Sequence, residues 1–194
     1  MKPAGQYVVD AYGLRLSDFK AEHGSYFLVH SAPVDSVKLD DSGDDWSLLS
    51  YQTTYGPNPA QMAPEVEAAF NAVRDYQVSA VRKRKGNPFP ERISVGRARN
   101  CDVVLRYSFV SKLHAHFLLA DPEAPLDANN ALTLVDQKSH NGSAVNGEPL
   151  EPGRAVPVSN GDELVLGSLR LRLMNATRFV AFIKRESQRP KGRY

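Results

Sequence analysis

Residues 92–119 read RISVGRARNCDVVLRYSFVSKLHAHFLL, and in this stretch short apolar runs alternate with glycine and polar turn residues. The same texture continues to about residue 174 and includes Asn-Gly pairs at Asn141, Asn146 and Asn160, which suit turns that need positive φ. Many short strands at this spacing are typical of an antiparallel β-sandwich. The predicted strands are Arg92 to Val95, Val103 to Leu105, His114 to Leu119, Leu132 to Asp136, Ala144 to Val145, Arg154 to Pro157, Glu163 to Leu166 and Leu169 to Met174.

Three turns that lie far apart in this region collect glycine, hydroxyl, amide and basic residues. They are Gly96-Arg97-Ala98-Arg99-Asn100-Cys101-Asp102, then Ser111-Lys112-Leu113-His114-Ala115, then Ser139-His140-Asn141-Gly142 followed by Asn146-Gly147. This ordered set resembles the forkhead-associated (FHA) domain, a phosphothreonine-binding module, from about Arg92 to Leu173. The resemblance implies a mostly β protein, an FHA-type antiparallel β-sandwich with an α/β N-terminal extension and a short C-terminal helix.

The chemistry of the turn residues agrees with this resemblance, although it is too general to name a family. A phosphothreonine brings about −1.5 to −2 charges and three strong acceptor oxygens, so its reader needs a fixed cation with hydroxyl and amide donors. The resemblance implies that Arg97 pairs with the phosphate and that the Ser111 hydroxyl also contacts it. It places Lys112 at the edge of the phosphate and Asn141 on the backbone of the bound peptide.

Other residues of the motif have structural roles according to the same resemblance. His114 is expected to tie the loops together from inside, and Gly96 to permit a close approach between chain segments. The remaining members of this structural set are Gly142, Asn146 and Gly147. We expect the Asn146-Gly147 pair to form a hairpin turn.

The sequence departs from the family pattern in two places. His140 stands where a threonine commonly follows the serine of the third turn, so our hypothesis is that it donates to phosphate and strengthens binding when protonated. Only Asn87 to Arg92 precedes the strand that leads into Gly96, where family members usually have a further strand. We predict that Trp46 to Tyr55, or alternatively Tyr26 to His30, supplies that strand, so a fragment that starts at Gly86 should be unstable or insoluble.

Alternative interpretations of the same residues come from other classes of site. Arg97 could pair with a carboxylate such as that of Asp102. His114 and His116 would lie on one face of a strand and could ligate a metal, although the sequence places no third ligand nearby. Ser111 with His114 also fits a nucleophile and base, yet no nucleophile elbow or P-loop pattern occurs in the chain. We therefore predict no catalytic residues, no metal and no cofactor.

Composition limits the class of protein and its partners. The 194 residues include 24 basic and 22 acidic side chains, a balance too even for the whole molecule to be held on nucleic acid by charge alone. The single cysteine, Cys101, excludes an internal disulfide and is typical of a reducing compartment. No apolar run reaches the length of a membrane span. We therefore expect a cytoplasmic protein with no membrane partner.

The chain divides by composition into three parts: an α/β extension over residues 1–85, the sandwich over residues 86–175, and a helix with a basic tail over residues 176–194. Apolar spacing from Pro64 onward predicts an amphipathic helix over about residues 64–84. Leu14 to Glu22 predicts a short helix that Gly24 stops, and Thr177 is expected to cap the last helix. The basic run Arg82-Lys83-Arg84-Lys85 fits a solvated helix end.

The predicted function is a non-catalytic adaptor that binds phosphothreonine segments in Ser/Thr kinase signalling. Its expected partner is a phosphothreonine-containing protein, either a Ser/Thr protein kinase or a kinase substrate. The alternative keeps the FHA fold but makes the module a scaffold that binds a protein partner or nucleic acid independently of phosphate. A steep salt dependence of binding to nonspecific DNA would favour that alternative.

Overall fold

The computed structural model of the chain contains two β-sheets that pack face to face. A layer of helices covers the outer side of one of them. The structure describes residues 1–30, 63–120 and 132–188. Within these ranges no helix has both the length and the apolar character needed to cross a membrane. The mostly antiparallel sandwich confirms the predicted fold class.

The larger sheet has seven strands in the order β1-β3-β2-β12-β11-β8-β9. Its strands are β1 (Lys2–Pro3), β2 (Tyr26–His30), β3 (Gln77–Ala80), β8 (Ser143–Val145), β9 (Glu148–Pro149), β11 (Glu163–Leu166) and β12 (Leu169–Asn175). The smaller sheet has five strands in the order β10-β7-β6-β4-β5. They are β4 (Arg92–Gly96), β5 (Val103–Val104), β6 (Ala115–Leu119), β7 (Leu132–Asp136) and β10 (Ala155–Val158).

Alternating apolar residues of the two sheets form the core between them. Along β12, Leu169, Leu171 and Leu173 are buried in this core, while Arg170 and Arg172 between them are exposed. Such alternation is the sequence signature of a strand with one apolar face. The predicted strands Leu132 to Asp136 and Glu163 to Leu166 have the same bounds in the structure.

Strand β2 from the N-terminal extension lies inside the larger sheet, between β3 and β12. Its Phe27 pairs with Met174 and its Leu28 with Leu173 in antiparallel register. The second of the two alternatives for the missing strand, Tyr26 to His30, therefore pairs with the sandwich. The first, Trp46 to Tyr55, lies outside the described residues.

The helices cover the outer face of this sheet and bury a second apolar cluster. Phe27, Phe19 and Phe179 all have side chains that are almost fully buried there, and the Phe27 and Phe179 rings stack with centroids 4.5 Å apart. Leu28, the neighbour of Phe27, belongs to the core between the sheets. The elements of the helical layer are the 3₁₀ turn Ala4–Tyr7, α1 (Val8–Gly13), α2 (Leu16–His23), α3 (Pro64–Val73) and α4 (Ala176–Ser187).

Two sequence predictions about helices and their ends are wrong, and a third, the stop at Gly24, is confirmed. The helix predicted over residues 64–84 ends at Val73, because residues 77–80 pair with β2 as a strand. The cap of α4 is Asn175 and not Thr177, since the Asn175 side chain accepts the amide of Arg178 at 2.8 Å. The short second helix does stop at Gly24, which has φ 104°.

The basic run at residues 82–85 is not a helix end. It follows β3, and its Lys83 and Arg84 hydrogen-bond to the sandwich, including the buried carboxylate of Asp102. A run of like charges predicts exposure to solvent only when no buried acceptor lies within its reach. The acceptor here, Asp102, follows Arg84 by 18 residues, so the local sequence gave no sign of it. The division of the chain at residues 85 and 175 stays a prediction, and sheet pairing crosses the first of these boundaries.

Candidate functional site

The loop that carries Arg97 is joined by backbone hydrogen bonds to the loop that carries Ser111. The Arg97 amide donates to the Ser111 carbonyl at 2.9 Å, and the Ala98 amide donates to the Lys112 carbonyl at 3.0 Å. The Arg97 side chain follows the same segment, because its Nε donates to the carbonyl of Val110 at 3.1 Å. These bonds place the half-buried guanidinium beside the residues that precede and include Ser111.

Gly96 is the residue that lets these two loops approach so closely. A Cβ added at this position would lie 2.3 Å from the Lys112 carbonyl oxygen and 3.0 Å from the Leu113 Cα. Both neighbours are backbone atoms, so neither can move aside without opening the loop contact. This geometry agrees with the expected role of Gly96 in close approach.

His114 joins the second loop to the third from a fully buried position. Its Nδ1 accepts the Ser111 amide at 3.0 Å, so the neutral ring carries its proton on Nε2, which faces the Gly142 carbonyl at 3.1 Å. Both ring nitrogens are thereby used, which leaves neither for a metal ion. The bond from Ser111 comes from its amide and not its hydroxyl, so the pair is not arranged as nucleophile and base.

The Ser111 hydroxyl connects the second loop to the third at the surface. Its Oγ accepts the backbone amide of His140 at 3.0 Å. Within the described part of the chain no acceptor takes the Ser111 hydroxyl proton, so that proton is available to an anionic ligand. The His140 side chain itself is exposed, next to this contact.

Asn141 reaches across to the second loop as well. Its Nδ2 donates to the carbonyl of Phe109 at 2.9 Å. A primary amide has a second N–H and an acceptor oxygen, so this single bond leaves Asn141 able to pair with a peptide backbone. Lys112 is exposed in the neighbouring loop, where its own carbonyl holds Ala98.

The structure therefore brings the five predicted site residues to one rim. Arg97 and Ser111 are half-buried, whereas the other three are exposed, and hydrogen bonds link the three loops that carry them. The members of this set are Arg97, Ser111, Lys112, His140 and Asn141. Their role in binding stays a prediction, and the arrangement provides a cation, a hydroxyl and an amide within one loop cluster.

The predicted hairpin at Asn146-Gly147 is confirmed. Val145 pairs with Glu148 across a two-residue turn in which Asn146 has φ 51° and Gly147 has φ 87°. Two successive residues with positive φ are what a tight turn between twisted strands requires. The Asn146 side chain also accepts the Glu163 amide and donates to Asp162, which ties this turn to the start of β11.

Two buried carboxylates, to which the sequence analysis gave no role in holding the loops, anchor them from below. Asp136 accepts the amide and hydroxyl of Ser139 and the hydroxyl of Ser143, which fixes both ends of the third loop. Burial alone would raise the pKa of Asp136, but the hydrogen bonds from Ser139 and Ser143 outweigh it and hold the pKa below its usual value. The spacing of Asp136, Ser139 and Ser143 is the sequence signal that could have revealed this anchor.

Asp102 performs the same task for the first loop. Its carboxylate accepts the amide and hydroxyl of Ser94, the side-chain amide of Asn87 and the amide of Arg84, at 2.6 to 2.9 Å. Lys83 Nζ lies 3.4 Å away. Asp102 thus bonds to β4 and to the segment before that strand, which accounts for its burial without Arg97 as its partner.

Burial of His114 predicts a pH-dependent loss of stability. Burial lowers the pKa of His114 from 6.5, and it lowers the pKa of His116 in the same way, with the charge of Arg92 adding to the effect. The unfolded chain therefore takes up protons first as the pH falls below about 6.5. We expect the free energy of unfolding to fall by up to about 1.4 kcal/mol per pH unit for each of the two histidines as the pH decreases below about 6.5.

Urea denaturation at pH 7.5, 6.5 and 5.5 measures this effect directly. His116→Gln removes one of the two groups and should reduce the slope while His114 stays in place. Equal free energies of unfolding at the three pH values would contradict the assignment of His114 as a neutral ring.

Comparison with known proteins gives a family for this region. The family model described as FHA domain matches residues 93–167. Curated relatives match over similar lengths: the chain is 37% identical over 78 residues to the glycogen accumulation regulator GarA of Mycobacterium tuberculosis, which is 40% of this chain and 41% of that protein. It is 35% identical over 74 residues to the DNA damage response protein kinase DUN1 of Saccharomyces cerevisiae, which is 38% of this chain.

These matches cover only part of the relatives. The match to DUN1 spans 14% of that kinase, and a match to the probable serine/threonine-protein kinase fhkA of Dictyostelium discoideum, 32% identical, spans 13%. Among solved structures, the chain is similar to the yeast Dun1 FHA domain in complex with a doubly phosphorylated peptide, with 29% identity and a TM-score of 0.41. That likeness covers 52% of this chain and 67% of the other.

Proposed function

Because residues 93–167 form an FHA domain, we propose that this protein is a non-catalytic adaptor that binds phosphothreonine segments of partner proteins in Ser/Thr kinase signalling. One observation carries the proposal. The Ser111 hydroxyl accepts the His140 amide, and so it joins the loop of Asn141 to the segment along which the Arg97 guanidinium lies. A guanidinium, a hydroxyl proton and an amide at one rim match the donor needs of a phosphate ester on a peptide.

Each group has a separate task in this proposal. Arg97 supplies the fixed positive charge, and its planar guanidinium can give two parallel hydrogen bonds to phosphate oxygens. Ser111 donates its hydroxyl proton to a third oxygen, and Lys112 adds charge at the edge. Asn141 pairs with the peptide backbone, which gives affinity with little demand on peptide sequence. We expect micromolar affinity, about −8 kcal/mol.

A phosphothreonine peptide library tests the proposal on the full chain. The expected result is binding of phosphothreonine peptides, with the dephosphorylated and phosphoserine forms of the same peptides as controls. Equal binding of phosphorylated and dephosphorylated peptides would overturn the proposal. Binding to nonspecific DNA that falls steeply with salt would instead favour the scaffold alternative.

Part of the basic sequence that could support that alternative is engaged within the protein. The basic run at residues 82–85 is one of its candidate surfaces, but Lys83 is bonded to the carbonyls of Phe89 and Arg92, and Arg84 to carbonyls of the first loop. Side chains committed to internal acceptors are less available to phosphates of a nucleic acid backbone. The phosphopeptide proposal is therefore the stronger of the two.

The exposed position of His140 leads to a prediction about phosphate binding. Its side chain lies next to the bond between its own amide and the Ser111 hydroxyl, where it can donate to a bound phosphate. We therefore expect His140→Ala to weaken phosphothreonine peptide binding by about twofold to tenfold. Fluorescence anisotropy with one labelled peptide measures the change, and wild-type affinity in His140→Ala would indicate that His140 does not contact the phosphate.

A further inference from the structure

Arg84, which precedes the matched FHA region, makes three hydrogen bonds to the loop that carries Arg97. Its guanidinium Nη1 donates to the carbonyl of Arg99 at 2.7 Å and to that of Cys101 at 3.0 Å. Its backbone amide donates to the Asp102 carboxylate at 2.9 Å. One residue of the N-terminal extension therefore closes the outer side of the loop, residues 97–102.

The opposite side of the same loop is held by the phosphate-site segments. Arg97 and Ala98 donate their amides to the carbonyls of Ser111 and Lys112, and the Cys101 thiol points at the Lys112 carbonyl at 3.3 Å. Besides the bonds of Asp102 to Ser94 and Asn87 at its end, the loop thus has anchors from the Ser111 segment and from Arg84. Loss of the anchors on either side would let the backbone torsions between Gly96 and Asp102 vary. The position of Arg97, the first residue after Gly96, would then be less fixed.

The contact between Arg84 and the loop is made at the surface. Arg84 is exposed, whereas the Asp102 side chain to which its amide bonds has no exposed area. Removing the Arg84 side chain therefore takes away the bonds to Arg99 and Cys101 and leaves the amide bond to Asp102 and the apolar core in place. We therefore expect this removal to change the position of the loop more than the free energy of global unfolding.

We propose that Arg84 is a positioning residue of the phosphate site, which fixes the loop of Arg97 from outside the FHA domain without touching the ligand. This proposal rests on the proposed function. It follows that the N-terminal extension sets the affinity of the site through Arg84, because a guanidinium must be held within a fraction of an ångström to give paired hydrogen bonds. A charge at this position is not enough, since both carbonyls are held by Nη1, which lies one bond further from the backbone than the ammonium nitrogen of lysine.

Two neighbouring arginines of the basic run provide a matched pair of variants. Arg84→Ala in the full chain should weaken phosphothreonine peptide binding about threefold to tenfold, since it removes two surface hydrogen bonds that order the loop. Arg82→Ala removes the same charge two residues away, where the side chain bonds the Glu22 carbonyl at 3.0 Å and not the loop, and should leave affinity unchanged. Equal effects of the two substitutions would overturn the proposal.

A double-mutant cycle separates positioning from direct contact or general destabilisation. If Arg84 acts through the loop of Arg97, Arg84→Ala should cost less than about twofold in an Arg97→Ala background. The same loss in both backgrounds would overturn the proposal. Arg84→Lys keeps the charge on a shorter side chain, and it should recover only part of the affinity.

Amide hydrogen exchange of the unliganded protein tests the loop itself. We expect faster exchange at Ala98 and Cys101 in Arg84→Ala than in the wild type or Arg82→Ala, and unchanged exchange at these amides would overturn the proposal. This readout needs no ligand. Failure of the wild type to bind any phosphothreonine peptide would therefore count against the proposed function, while the exchange rates would still decide whether Arg84 holds the loop.

Discussion

Arg97→Ala should weaken binding of a phosphothreonine peptide by about tenfold to over a hundredfold and leave the fold intact. A charge-assisted hydrogen bond contributes about 1.5 to 3 kcal/mol, and about 1.4 kcal/mol corresponds to a tenfold change in affinity. The fold should survive because the side chain is half-buried and its bond to the Val110 carbonyl joins two surface loops. The Arg97 amide bond to the Ser111 carbonyl does not depend on the side chain.

Isothermal titration calorimetry with one phosphothreonine peptide, together with a thermal melt, measures both parts of this prediction. Arg154→Ala is the matched control, because Arg154 lies in a turn before β10 with an exposed side chain that pairs with Glu151. Arg97→Lys should fall between the wild type and Arg97→Ala, since an ammonium cannot give the paired geometry of a guanidinium. Wild-type affinity in Arg97→Ala would remove Arg97 from the proposed site.

A fragment that begins at Gly86 should fail to fold. It lacks β2, so the backbone of β12 loses its partner along Arg172 to Asn175. It also loses the side chains of Phe27 and Leu28, which pack into the outer and inner apolar clusters and are both fully buried. Each such side chain contributes about 1.5 to 3 kcal/mol, and the net stability of a domain is only about 5 to 15 kcal/mol.

Circular dichroism and a urea titration of the purified fragment give the result. A point substitution in the full chain measures the contribution of β2 directly. Leu28→Ala should lower the free energy of unfolding by about 2 to 5 kcal/mol. A fragment that is soluble and melts cooperatively would show that the sandwich is complete without the extension. The expected outcome is an insoluble or unfolded chain, because loss of Phe27 would also expose the buried side chain of Phe179 on α4.

The strands of the sandwich could be predicted from the sequence because their alternation is local. Apolar and polar residues alternate strictly from Leu169 to Leu173, and the strand predicted over Leu169 to Met174 extends by one residue, to Asn175, in the structure. The rim residues could be predicted because three turn motifs follow one another in the order typical of the family. No single residue of these motifs would have been sufficient evidence. Their mutual distances depend on Gly96 and on His114, both of which the same motif includes.

The parts that the sequence did not predict depend on partners far along the chain. Apolar residues at helical spacing continue past Val73, but pairing of Val78 and its neighbours with β2 makes that segment a strand. Asp102 looked like a surface carboxylate, and only the packing of residues 83–87 against it explains its burial. Tertiary contacts of this kind override local propensity.

The insertion of β2 beside β12 has a consequence for biosynthesis. Leu28 leaves the ribosome about 145 residues before Leu173, its neighbour in the sheet, and at ordinary rates of translation that interval is on the order of ten to thirty seconds. During this time the nascent segment Tyr26–His30 can pair on one side with β3, which follows about 50 residues later, but its edge toward β12 stays open. Open edges of apolar strands are the sites at which chains aggregate. The yield of native protein should therefore depend on how fast the residues between β2 and β12 are made.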